Sequence, residues 1–109
     1  MLYPDDDNGD ALRRLEANGD DLTRPRDINF SVVFGSEQAA LAFTLQLSEL
    51  GYAASIEPPE SQVEEWDVNV VRHMTPSHRD ISEFENLLQH VADNLGGNND
   101  GWGCFTQTK

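Results

Sequence analysis

Ile81, Phe84, Leu88, Val91 and Leu95 recur at steps of three, four, three and four residues, and Leu87 and Ala92 widen the stripe. Only an α-helix brings such positions to one side, and a side this apolar needs another layer to cover it. Ser77-His78-Arg79-Asp80 supplies a start resembling a capping box, with Thr75-Pro76 as an alternative one turn earlier. Gly96-Gly97 supplies the stop. A chain of 109 residues has room for a single core that hides roughly 60 to 70% of its unfolded surface. Whatever covers this helix is therefore the rest of the domain.

The covering layer is legible as strands. Ile28, Phe30, Val32 and Phe34 alternate with Asn29, Ser31 and Val33, which predicts a half-buried strand. Gly35-Ser36 then opens a helix with Ser36 as N-cap and Glu37 in the first turn. Ala39, Ala40, Phe43, Leu47 and Leu50 form its inner side, and Gly51 ends it. Tyr52 to Ile56 predicts a short strand, closed by Glu57-Pro58-Pro59-Glu60, whose prolines suit an edge or a loop. Trp66, Val68, Val70 and Met74 alternate with Asp67, Asn69, Val71 and His73 in a third strand, where Arg72 interrupts the apolar side. Upstream, Asp5-Asp6-Asp7-Asn8-Gly9-Asp10 caps a helix over Asp7 to Asn18 that carries Ala11, Leu12 and Leu15, with Gly19 as terminator. Pro25 keeps the connector to Arg26 out of that helix. At the far end Asn98 to Gly101 predicts a turn and Trp102 to Gln107 a last strand beside the first. The order βαββαβ behind an extra N-terminal helix points to an α+β ferredoxin-like sandwich, both later helices on one sheet face. It would be a single domain over 1–109, with helix and connector in 1–26 and the sandwich in 27–109.

Seven Lys and Arg against twenty Asp and Glu give a formal charge of −13, which repels a phosphate backbone and favours basic partners. RNA-binding modules of this strand order stack bases on aromatic residues of the open sheet face. Here that face offers Asn29, Ser31, Val33, Asp67, Asn69, Val71 and His73, so direct nucleic-acid binding is not expected. A calcium loop with Gly9 at its glycine position would need Pro4 and Leu15 as ligands, which neither side chain can be. His73, His78 and His90 fall on a strand face, a helix start and a helix surface without metal-site spacing. Cys104 lies in a strand with no neighbouring His. No cofactor, metal or catalytic residue is expected, and the chain is not expected to be an enzyme. The N-terminus lacks a signal-peptide pattern, and no run of about 18 apolar residues spans a bilayer. A cytoplasmic protein without a membrane segment is the expectation.

What remains is charge and one motif. Glu57, Glu60, Glu64, Glu65 and Asp67 form one acidic cluster, and Asp5, Asp6 and Asp7, with Asp10, form another. Either serves solubility or steers a basic partner. In Asp100-Gly101-Trp102-Gly103, Asp100 can form an Asx turn, Gly101 can take a positive φ, and Gly103 leaves room for the indole. Trp102 is then either a core cap or an exposed anchor.

Asp100-Gly101-Trp102-Gly103 resembles the ending of the RraB family, protein inhibitors of ribonuclease E, whose pattern is an aromatic followed by Asp-Gly-Trp-Gly. Asn99 stands at the aromatic's place. The start, Asp5 to Leu12 with Gly19-Asp20-Asp21-Leu22 and Pro25-Arg26, is similar to that of the family's short members. The resemblance implies a ferredoxin-like fold and a non-catalytic regulator that binds a ribonuclease E scaffold region. An inhibitory or immunity-type protein for another basic enzyme, and a small-molecule sensor that pairs its sheets as a dimer, are the alternatives. Neither oligomeric state nor contacting surface is set by the sequence.

Overall fold

In a computed structural model, residues 6–59 and 65–104 are described. They form α1 (Asp7–Ala17), β1 (Arg26–Phe34), α2 (Glu37–Glu49), β2 (Ala53–Glu57), β3 (Trp66–Met74), α3 (His78–Asp93) and β4 (Asn98–Cys104) in that order. The fold is α+β, with three helices and a four-stranded antiparallel sheet of order β2-β3-β1-β4.

Local chemistry explains the helix starts. Asp6, Ser36 and Ser77 each take an extended backbone and accept a hydrogen bond from the amide three residues on, at Gly9, Ala39 and Asp80. Each cap satisfies one amide that the first helical turn leaves unpaired. The helices then bury their apolar sides on one face of the sheet. Ile28, Phe30, Val32 and Phe34 of β1 and Val68 and Val70 of β3 meet Ala40, Phe43 and Leu47 of α2 and Ile81, Phe84, Leu88 and Ala92 of α3. Phe30 meets Phe84 edge-on at 4.7 Å, and Phe34 meets Phe43 at 4.9 Å.

Arg72, the residue that breaks the apolar side of β3, has a place in this core. Its guanidinium carbon lies 4.8 Å from the Phe84 ring centre and 5.8 Å from that of Tyr52. It caps the core margin as a cation over two aromatic faces. Gly97, beyond the end of α3, is buried because the Phe34 ring occupies the space a Cβ would need. A close approach, and not only helix termination, fixes glycine there.

Two strand starts differ from the sequence reading by two residues or more. β1 begins at Arg26, inside the expected connector, because its buried guanidinium pairs with Asp20 at 2.6 Å and donates to the Asp21 carbonyl at 2.9 Å. Asp20 raises the Arg26 pKa further above its already high value. β4 begins at Asn98 instead of Trp102, because β1 offers Val33 and Val32 as partners to Asn98 and Asn99. The expected turn becomes a bulge: Asp100 and Gly101 together oppose Ser31, and Gly101 has φ +97°. The rest of the expected last strand, beyond Cys104, lies outside the described residues.

The buried pair yields a test. Asp20→Ala should lower unfolding free energy by about 3 to 5 kcal/mol, since Arg26 is left charged in a buried place. The double change Asp20→Leu with Arg26→Met should cost clearly less than that single change, measured by urea unfolding.

Candidate partner-binding site

Trp102 sits opposite Phe30 in the β1–β4 register, so its indole points to the helix-covered side. It is half-buried against the core cluster. Its Nε1 donates to Asn8 Oδ1 of α1 at 2.9 Å. Asn8 Nδ2 in turn donates to Ser82 Oγ at 3.0 Å and Glu85 Oε1 at 2.7 Å, both on α3. The other Glu85 oxygen accepts from Asn99 Nδ2 at 2.8 Å. Gln89, one turn further along α3, accepts from the Asn99 amide at 2.7 Å and donates to the Gly97 carbonyl at 3.0 Å. One continuous set of hydrogen bonds thus joins α1, α3 and β4.

This set supports the core-cap reading of Trp102, whose ring lies half-buried at the core margin. Asn99, rather than Asp100, makes the Asx turn, accepting from the Gly101 amide at 3.4 Å. A Cβ at Gly103 would meet nothing within 4 Å beyond its own chain neighbours. Asp100 is exposed.

The two acidic clusters lie apart. Glu57 and Asp67 are cross-strand partners on the open sheet face, and Ser31 Oγ donates to Asp67 at 2.6 Å. Glu65 is exposed just before β3. Glu60, Glu64 and Asp5 lie outside the described residues. At the other end of β3, Asp6 caps α1 and contacts His78 Nε2 at 2.8 Å, with Asp7 exposed beside it. The Gly9 amide, and then His78, hold the Asp6 carboxyl below the usual carboxylate range. His73 contacts Asp27 at 2.9 Å and His90 is exposed on α3, so the three histidines stay separate. Among the described residues no three His, Cys, Asp or Glu converge as metal ligands. Half-buried Cys104 has Arg26 Nη1 at 4.0 Å. The open sheet face of the described strands carries no aromatic residue, and no described helix is long and apolar enough to cross a membrane.

Asn8, Ser82, Glu85 and Gln89 were not singled out by sequence reasoning. Their one signal is that Ser82, Glu85 and Gln89 follow a helical step beside the apolar stripe of α3.

A family model described as RraB, regulator of ribonuclease activity B, matches residues 5–104, nearly the whole chain. Among curated proteins none matches significantly.

Asn8→Ala removes a donor and an acceptor from the set and leaves the indole N–H and Glu85 short of partners. The expected cost is about 1 to 3 kcal/mol in urea unfolding, with amide exchange in α1 accelerated most. The Asp6 cap gives a pH test. A carboxyl whose folded pKa is lowered stabilises above the ordinary carboxylate range and loses that contribution as pH falls through the lowered value. Helical chemical shifts in the first turn of α1 should therefore fade in acid, and Asp6→Asn should remove that pH dependence.

Proposed function

Because the chain belongs to the RraB family of regulators of ribonuclease activity, we propose that it acts without catalysis, by binding a ribonuclease through its acidic surface. Ribonuclease E is the specific target that the resemblance suggests. The reading extends to one regulatory domain over 1–109 working in the cytoplasm. A ferredoxin-like form of the α+β fold is supported by the β2-β3-β1-β4 order and by α2 and α3 covering one face.

The observation that carries the reading, beside the family, is where the few cations go. Arg26 is buried on Asp20, Arg72 covers Tyr52 and Phe84, Arg13 pairs with Asp10, and Arg79 pairs with Glu83. At least four of the seven basic residues are engaged in the chain's own contacts, and with twenty acids against seven bases the surface stays in large acidic excess. Such a field draws an arginine-rich segment and speeds its association. Where that segment also holds RNA, the acidic protein competes with the phosphate backbone for the same side chains.

Purified chain mixed with ribonuclease E should form a complex at low salt and slow cleavage of a structured RNA. Raising salt from about 50 to 200 mM should weaken the complex by at least about tenfold, through screening. Absence of a complex at low salt sinks the reading.

A further inference from the structure

β4 is an outer strand, and among the described residues its outer edge pairs with no other strand. α1 packs against α3 instead of onto that edge, which leaves a trough between helix and strand. One open depression of about 460 Å³ has Asp7, Ala11, Glu85, Asp100 and Trp102 in its lining. A second, of about 290 Å³, has Ala11, Arg14, Leu15, Trp102 and Cys104. Ala11 and Trp102 line both, so the two depressions adjoin at these residues.

Three independent properties converge there. A strand edge offers backbone donors and acceptors to an extended chain. Trp102 offers a π face to a cation. Among the described residues, no Lys, Arg or His lies within ion-pair distance of Asp7, Glu85 or Asp100. Glu85 is the most telling of these, because both its oxygens are held by neutral amides, those of Asn8 and Asn99. The amides fix where the carboxylate points and leave its charge uncompensated.

Building on the regulatory reading above, we propose that this trough receives an extended arginine- or lysine-bearing segment of the partner protein. The segment adds to the outer edge of β4 and sets one cationic side chain beside Trp102, facing Glu85 and Asp100. A second copy of the chain is disfavoured by the mutual repulsion of two −13 charges, and a nucleic acid by phosphates brought against carboxylates. Arg14 in the second depression suits an acidic or apolar residue of the segment and gives it a direction.

The test uses the full chain, ¹⁵N-labelled, titrated at low salt with a synthetic peptide of Arg, Gly and Ser. A peptide with Glu in place of Arg is the control. Amide shifts should gather at Ala11, Leu15 and residues 99–104 with the first peptide only. Asp100→Arg, and Ala11→Arg, which lays a cation into the trough from α1, should each weaken binding about tenfold. Glu49→Arg makes the same charge change as Asp100→Arg at the exposed end of α2, a helix that packs against neither α1 nor β4, and should change affinity by about twofold or less. Asp100 and Glu49 are exposed, Ala11 is partly buried in the lining of an open depression, and all three variants keep Trp102, so their amide spectra should stay those of the folded chain. Equal weakening by Glu49→Arg, or shifts gathered on β2 and β3, overturns the trough. If the ribonuclease complex forms and ignores Asp100→Arg and Ala11→Arg, the trough falls and the regulatory reading stands. Peptide binding in the trough without any ribonuclease complex supports the trough and moves the partner to another basic protein.

Discussion

Every layer of this fold leans on the one-sided burial of β1. The strand pairs on both edges, with β3 and β4, and its residues Ile28, Phe30, Val32 and Phe34 are at most 2 % exposed. Phe30 is the crossing point. It sits opposite Val70 and Trp102 across the two ladders and meets Phe84 of α3 edge-on. Phe84 carries Tyr52 at 5.0 Å and the Arg72 guanidinium in turn. A fully buried aromatic of this kind contributes on the order of 1.5 to 3 kcal/mol, and its removal also opens a cavity that several elements share. The position of Trp102, and with it the trough beside α1, thus depends on a fully buried neighbour.

The N-terminal helix is attached by different physics. Leu12 gives it one fully buried anchor, and the rest of its placement comes from polar contacts: Asn8 to Ser82, Glu85 and Trp102, and Asp6 to His78. Directional hydrogen bonds fix a helix in register where a greasy contact would let it slide, but they stabilise less per contact. The same economy explains the connector. With Asp20 and Arg26 locked together and Asp20 N–H bonded to the Leu15 carbonyl, the chain is forced from the end of α1 directly into the first residue of β1.

Periodicity and caps made most of the architecture legible before any coordinates. Three helices, their N-caps at Asp6, Ser36 and Ser77, and three of four strands lie within a residue or two of where pattern places them, because apolar spacing is a direct record of which side is buried. What stayed hidden has no period. Arg26 gives no sign of burial, since arginine is normally exposed and its partner lies six residues upstream. The start of β4 was masked by Asn-Asn-Asp-Gly, a turn by local preference, which the long β1 ladder overrides by absorbing the glycine as a bulge. The candidate site suffers most, because Asn8, Glu85 and Asn99 are single polar residues from three elements and only the tertiary fold brings them together. The motif around Trp102 was visible, but its connection to α1 was not.

An open strand edge is ordinarily a liability, since any extended chain can pair with it. Proteins often guard such edges with charge. On β4 itself the guard is slight: Asp100 is its one charged residue, and Gly101 and Gly103 bring no bulk. The neighbouring carboxylates Asp7 and Glu85 add to it from α1 and α3. Together these charges select by sign instead of closing the edge. Another copy of this acidic chain meets repulsion at long range, and a neutral strand gains little from leaving water beside fixed carboxylates. A basic segment alone gains from all three of backbone pairing, the indole face and the uncompensated charge of Glu85. The charges that disfavour a second acidic copy in the proposed trough are therefore the ones that favour a basic segment there.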